Sequence, residues 1–397
     1  MKAVIFGAGN IGRGFIAPLF SFDGWDVTFV DVMKPVIERI NSDREYPLNI
    51  VSGEGTKTLT VKNVSAVDGN DHEAAVAAIA ECDIAATCVG AKAIKYILPN
   101  FAEAVKERYS KGLKPLNLLI CENLMDADKY VKGLLEDMLT PEELDYVGLV
   151  ETSVGRMVPV PKEKGENDNP LSIAVEEYGV LPVDKAAFKG DVVSVKNIVP
   201  FTPFHYYVER KLYIHNMGHA ITAYLGEAVY GDEYIYQSID RPLVRLIAEN
   251  AMIESAMALQ TKYAVPFEPL MQHVWDLLRR FSNKALGDTC KRVGNDIPRK
   301  LANSDRLIGA AKNILAEGGK PVYVCLGAAI ALYDYMKQNP DLTDAKAALV
   351  SLSSLDADSE LAERITNFCE LLMNGGSVEE AVALADSIKK ADVGMIV

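Results

Sequence analysis

The sequence predicts an α/β protein in two parts, an N-terminal doubly wound parallel sheet followed by a second, mainly α-helical domain. Three observations carry this. Short β-rich runs alternate with helix-compatible stretches as far as Glu151, a glycine-rich turn joins the first run to the stretch after it, and beyond Phe204 strand signals give way to helical spacing of apolar positions.

The candidate strands of the first part are 2–6, 26–31, 59–67, 83–89, 116–121 and 146–151. Their Val, Ile and Ala runs are nearly continuous, as in strands covered on both faces. Residues 158 to 203 change character, with a polar loop at 163–170, an alternating run at 171–177 and prolines at Pro182, Pro200 and Pro203, which together read as sheet-edge strands and a linker. The segments 245–263, 269–281 and 326–337 read as helices. With 397 residues, 49% of them hydrophobic, the chain can bury a core in each of two domains, and 1–195 and 196–397 are the expected division.

Bulk composition narrows the function classes. The first apolar run stops at Gly7 and no apolar stretch approaches the ~20 residues of a membrane span, so neither a secretory signal nor an anchor is expected. The 6 cysteines (Cys82, Cys88, Cys121, Cys290, Cys325, Cys369) form no CxxC pair, and reduced thiols in a cytoplasmic protein are expected. A formal charge of −14 argues against nucleic acid or an anionic membrane as partner. An anionic small molecule would need a local cluster of Lys and Arg.

The strongest local signal is the strand from Lys2 to Phe6 running into Gly7-Ala8-Gly9-Asn10-Ile11-Gly12 and then a helix-compatible stretch. Gly7 allows a tight turn, Gly9 lets the backbone approach a pyrophosphate, Gly12 permits close helix–strand contact, and the helix N-terminus faces the anion. Asp31 ends the next strand, where a carboxylate can bind a ribose 2′-hydroxyl and would repel a 2′-phosphate, so a Rossmann-like site for NAD rather than NADP is expected. The blander reading is a tight turn made by the glycines and a helix capped by Asp31. Arg13 stays open between a phosphate neighbour and a surface residue.

Oxidising a secondary alcohol needs a base for the hydroxyl proton and donors for the oxyanion, besides the hydride acceptor. The segment from Glu209 to Ala220 holds Lys211, His215, Asn216 and His219. On an α-helix turning roughly 100° per residue, Asn216 lies about 140° and His219 about 80° round from Lys211, so the three share one face. A desolvated Lys211 would take the alcohol proton while Asn216 donates to the alkoxide, and Asn123, at the end of a predicted strand, would supply a second amide. Against this stand a solvated lysine and a packing histidine. Zinc held by His215 and His219 at i, i+4 is a further reading, but the glutamate of HExxH is missing and no third ligand stands nearby, so no metal is expected.

Taken together, FGAGNIGRGF (Phe6 to Phe15), CEN (Cys121 to Asn123), VERKL with NMGHAITAYLG (Val208 to Gly226) and RKLANSDRLIG (Arg299 to Gly309) are specific, and the chain resembles the polyol-specific long-chain dehydrogenases along nearly its whole length. The resemblance implies reversible, metal-free, NAD-linked conversion of a polyol phosphate, mannitol 1-phosphate, to the ketose phosphate fructose 6-phosphate, in a monomer or weak dimer. Matched by motif position, it implies Lys211 as general base, Asn123 and Asn216 as oxyanion donors, and His219 as a partner for substrate hydroxyls. Arg306, with Arg299 and Lys300, would face the distal end or phosphate, which suits an acidic protein because arginine matches a phosphate bidentately. The blander alternative pairs Arg306 only with Asp305 or another carboxylate.

Three departures from the family pattern keep related activities open: Ala91 after Gly90 in place of proline, Gly155 in place of an acidic residue, and no tryptophan ahead of Val183 and Asp184. Oxidation of free mannitol and reduction of a hexuronate are the rival reactions. A non-catalytic NAD-binding sensor is the rival from another class, and it would have no use for a Lys–Asn–His face.

Overall fold

The computed structural model describes residues 1–124, 126–159 and 169–392. The chain divides into two compact units, Met1–Tyr207 and Val208–Val397. In the first, the strands are β1 (Lys2–Phe6), β2 (Asp26–Asp31), β3 (Glu45–Ser52), β4 (Gly55–Lys62), β5 (Val64–Asp68), β6 (Ile84–Thr87), β7 (Leu116–Ile120), β8 (Val147–Glu151), β9 (Ile173–Val175), β10 (Leu181–Asp184) and β11 (Ile198–Phe201).

The main sheet runs β5-β2-β1-β6-β7-β8, parallel throughout. That is the doubly wound Rossmann order, in which the chain leaves β1 toward one edge and returns to build the other, making a switch point between β1 and β6. Side chains alternate between two cores as strand geometry requires: Ala3 and Ile5 face one, Val4 and Phe6 the other. β6 and β7 are buried at every position, the mark of strands covered on both faces.

The run 59–67, expected as one strand, is two. Asn63 stands between β4 and β5 with φ +56, a left-handed conformation that asparagine adopts more readily than most residues. The pieces go to different sheets: β4 pairs antiparallel with β3, whereas β5 pairs with β2. The alternation shifts phase at this corner, from Leu59 and Val61 to Val64 and Ala66, a break that reading one continuous apolar run passes over. The alternating run 171–177 contains β9, which adds to the edge of β3 in a sheet ordered β4-β3-β9. β10 and β11 pair in parallel and carry Pro182 and Pro200 in a two-stranded ribbon, where edge positions tolerate proline. Of the expected polar loop at 163–170, all but Asn169 and Pro170 lie outside the described residues.

The second unit is helical. The segments expected as helices fall within Pro242–Tyr263, Phe267–Phe281 and Val322–Gln338. The last of these is apolar nearly all round and buried along almost its whole length, so it forms the centre against which the others pack. Small residues let neighbours come close: a Cβ on Gly327 would lie 2.3 Å from Ile221 Cδ1, and one on Gly218 would lie 2.5 Å from Met252 Sδ. Among the described residues no helix is long and apolar enough to cross a membrane. All six cysteines are free thiols, Cys88 partly exposed and the others buried.

The central helix begins on a buried charge. Glu254, inside the Pro242–Tyr263 helix, accepts from the backbone N–H groups of Tyr323 and Val324 at 3.0 Å each and pairs with Lys389 Nζ at 2.9 Å. A carboxylate there satisfies orphan donors at a helix N-terminus and ties in the Val378–Asp392 helix. Glu254→Ala would leave those N–H groups without their acceptor. It is expected to lower unfolding stability by roughly 1–3 kcal/mol in a urea titration, and an unchanged midpoint would mean the clamp contributes nothing.

Candidate active site

The glycine-rich turn is backbone packed on backbone. Gly7 has φ +94, and a Cβ there would sit 2.6 Å from the Cys88 carbonyl oxygen; a Cβ on Gly12 would sit 2.0 Å from the Gly7 carbonyl oxygen. Neither position has room for a side chain. Gly9 differs: it is exposed with nothing within 4 Å of its Cβ position, so what needs glycine there is outside the fold. The chain turns helical at Asn10, also exposed, while Ile11 packs into the first core.

Two side chains hold this turn. Asp31, at the end of β2, accepts the Ala8 N–H on Oδ2 at 2.6 Å and the Met33 N–H on Oδ1 at 2.8 Å. Arg13 donates from Nε to Ala8 O at 2.6 Å and from Nη1 to Leu171 O at 2.5 Å, and burial lowers its pKa. Arg13 is thus a backbone fastener, which neither reading of it from sequence foresaw. An open helix N-terminus, a bare Gly9 and a carboxylate at the neighbouring strand end together make the donor and acceptor set a dinucleotide requires.

Asn123 lies exposed just beyond the end of β7. Its neighbour Glu122 is buried, and its carboxylate accepts from the N–H groups of Val89 at 2.9 Å and Gly90 at 2.8 Å, clipping the loop after β7 to the loop after β6. Burial raises the Glu122 pKa. Sequence reasoning took the amide from CEN and passed over the acid, although an acid at the end of an apolar strand must find donors or stay out of the core.

The chain is helical from 205 to 230, mostly in the second unit, but not uniformly α. Lys211–Asn216 and Leu225–Tyr230 are π-helical turns with i→i+5 hydrogen bonding. This corrects the regular α-helix assumed from the sequence: in the wider turn residue i+5 falls back nearly over residue i, so Asn216 returns to the side of Lys211. Lys211 is half-buried, and among the described residues it makes no hydrogen bond or ion pair. Its pKa falls from the usual 10.5 to about 8, first because burial penalises the ammonium and second because Arg306 is near. The Asn216 amide also makes no hydrogen bond among the described residues.

His219 is held firmly. Its Nε2 lies 3.2 Å from Asp288 Oδ2, and its ring stacks on Phe281 with centroids 4.6 Å apart and planes 9° apart. His215 is buried, and burial with the neighbouring Arg280 pushes its pKa well below the usual value. No group of three metal-binding side chains forms among the described residues.

The three expected cations part company. Arg306 Nε donates to Asp305 Oδ1 at 2.8 Å, and Arg299 reaches the other oxygen of Asp305 at 3.2 Å while its Nε holds Asp296 at 2.7 Å. Lys300 is buried and its ammonium donates to the carbonyls of Val293 and Asn295, its pKa lowered to about 8 by burial and then by Arg306 and Arg299. The terminal nitrogens of Arg306 make no bond among the described residues, so the Asp305 pairing leaves that end of the guanidinium unused. Glu209, two residues before Lys211, is engaged elsewhere: Lys262 Nζ holds both its oxygens, at 2.7 and 2.9 Å, and Tyr263 donates at 3.0 Å.

Comparison with known proteins agrees with this architecture. The family described as mannitol dehydrogenase Rossmann domain matches residues 1–197, and the mannitol dehydrogenase C-terminal domain matches residues 204–371. Among solved structures, D-sorbitol dehydrogenase in substrate-free form is similar with a TM-score of 0.77 at 15% identity, covering 96% of this chain and 94% of that one. Pseudomonas fluorescens mannitol 2-dehydrogenase, solved as a ternary complex with NAD and D-mannitol, is similar with a TM-score of 0.66 at 14% identity, covering 98% of this chain and 94% of that one. At such identities the likeness speaks to the fold.

The glycine geometry separates two roles within one motif. Gly12→Ala is expected to destabilise the protein by about 1–3 kcal/mol in chemical denaturation, because its Cβ meets backbone that cannot yield. Gly9→Ala is expected to leave stability within about 0.5 kcal/mol of the parent while raising the Kd for NADH measured by fluorescence. Equal destabilisation by both would place the need for Gly9 inside the fold instead.

Proposed function

The chain belongs to the mannitol dehydrogenase family of NAD-dependent polyol dehydrogenases, and from that premise we propose that it has the activity of a mannitol-1-phosphate 5-dehydrogenase, interconverting mannitol 1-phosphate and fructose 6-phosphate. One observation carries the mechanism: Lys211 is half-buried, has no carboxylate partner among the described residues, and has its pKa lowered to about 8. NAD supplies the acceptor for the hydride. Lys211, when neutral, takes the hydroxyl proton onto Nζ. Asn216 donates its amide N–H to the oxygen as charge develops there, and Asn123 is the proposed second donor. His219 holds a hydroxyl of the polyol chain.

The phosphate reading rests on Arg306. Its unused terminal nitrogens offer the forked donor geometry that suits a phosphate oxygen pair, and Arg299 shares its carboxylate. Lys300 adds positive charge nearby rather than a free donor. Free mannitol or a hexuronate as substrate is the alternative, and it would leave the fork of Arg306 without a dianion to bind. The free thiols support a cytoplasmic location, and a monomer or weak dimer is the proposed state.

The sign of the pH dependence follows from the base. A lysine accepts a proton only when neutral; with a pKa at about 8 roughly a tenth is neutral at pH 7, against about one part in several thousand at the ordinary value. For polyol oxidation, kcat/KM is therefore expected to rise about tenfold per pH unit up to about 8 and then level. For ketose reduction it should fall above about 8, where the donor ammonium is lost. Lys211→Met is expected to cut both by roughly 10²–10⁴ while NADH still binds, and Arg306→Gln to raise KM for the phosphate ester and move the limb to higher pH. Equal turnover of mannitol and mannitol 1-phosphate would end the phosphate reading, and an active Lys211→Met would remove the base.

A further inference from the structure

Asp288 has no part in the mechanism above, yet it is built into place. It sits between Gly287, which turns at φ +60, and Thr289, whose hydroxyl accepts the Arg292 N–H at 3.2 Å to cap the Cys290–Gly294 helix. An antiparallel bridge between Tyr234 and Thr289 holds the turn: the Ile235 N–H donates to Asp288 O and the Cys290 N–H to Glu233 O, each at 2.9 Å. The Asp288 side chain is only 9% exposed, and both its oxygens are used. Oδ2 takes His219 Nε2 at 3.2 Å, and Oδ1 takes Arg292 Nε at 2.7 Å.

Burial alone would raise this carboxyl, but His219 and Arg292 outweigh burial and hold it below the usual carboxylate range. An ionised carboxylate can only accept, so His219 must carry a hydrogen on Nε2. Its ring cannot swing away without losing both that bond and the Phe281 stack. Its Nδ1 makes no hydrogen bond among the described residues.

We propose that Asp288 is a positioning residue: acting through His219, it holds a hydrogen on Nε2 and so leaves Nδ1 as the nitrogen that accepts from a substrate hydroxyl whenever the ring is neutral. This rests on the reading of His219 as a partner of the polyol chain. The logic is that of any imidazole whose second nitrogen is set by the hydrogen bond its first one makes. Arg292 gives a sharp way to invert it. In Asp288→Asn the guanidinium keeps the amide oxygen on its own side, so the amide NH2 faces Nε2, which must then accept, and the hydrogen moves to Nδ1.

Two measurements on the full-length protein test this. In ¹⁵N-histidine-labelled protein, with His219→Gln to assign the signal, neutral His219 is expected as the Nε2–H tautomer in the parent and as Nδ1–H or a mixture in Asp288→Asn. A parent His219 that is Nδ1–H, or a mixture, overturns the proposal whatever the substrate is. In kinetics with the best polyol substrate, Asp288→Asn is expected to lower kcat/KM roughly ten- to a hundredfold with NADH affinity unchanged, to add nothing in a His219→Ala background, and to be partly rescued by Asp288→Glu. Losses that add in the double variant overturn it. If no polyol phosphate is turned over while the tautomer result holds, the substrate assignment fails and the role of Asp288 in setting the tautomer stands.

Discussion

Among the described residues no carboxylate pairs with Lys211, and that constraint organises its surroundings in the second unit. The chain has 55 acidic residues against 41 basic ones, so an unpaired ammonium is not what chance would supply. The neighbouring acids are each committed to another partner. Glu209 belongs to Lys262 and Tyr263, and Asp305 is divided between Arg299 and Arg306. Asp288 is divided in the same way between Arg292 and His219. An acid left free here would restore the ordinary lysine pKa and remove the base at neutral pH. Among the described residues the pairing of Glu209 and Asp305 thus leaves neither carboxylate to Lys211.

The cofactor loop solves a different problem with similar means. Its shape is set by carbonyl oxygens of Cys88 and Gly7 standing where side chains would have to go, and such a turn has little of its own to hold it. Asp31 and Arg13 supply the holding, both through Ala8, one on its N–H and the other on its carbonyl. The exposed residues Gly9, with open space at its Cβ position, and Asn10 are those left at the open helix end. Rigidity is thus placed behind the site, leaving donors free at its surface.

How much of this was legible in the sequence depends on whether the deciding interaction is local. The main-sheet strands and the long helices were readable because burial on both faces or along one stripe leaves a continuous or periodic apolar pattern. The corner at Asn63 was passed over because the run was read by its overall apolar content, although its alternation changes phase there, from Leu59 and Val61 to Val64 and Ala66, and the two pieces pair with different strands. The Lys211–Asn216 turn was misread for a related reason: a π turn has no composition of its own, and its place is set by packing around Met217 to Gly226, where neighbouring helices come close. Glu122 and Asp288 were missed because their partners are remote in the chain: Val89 and Gly90 for one, His219 for the other. The identity of the candidate base and the burial that lowers its pKa were visible; the charge of Arg306 beside it was not.

On the proposed reading, recognition of an anion and tuning of the base are one electrostatic problem, because Arg306 would serve both. In the free protein its positive charge depresses the Lys211 pKa. A phosphate seated on the Arg306 fork would cancel that charge and add its own negative one, so the same binding that orients the substrate pushes the base back toward protonation. Burial, the larger of the two causes acting on Lys211, must then carry the depression alone, and a substrate that displaces water from around the ammonium strengthens it. A neutral polyol would demand no such compensation and would leave Arg306 free to act on the lysine. On that reading the separation between Lys211 and the anion would itself help determine which substrates react. A phosphate held at the far end of a six-carbon chain weakens its pull on the ammonium, whereas the same group on a shorter chain would sit close enough to hold the proton on.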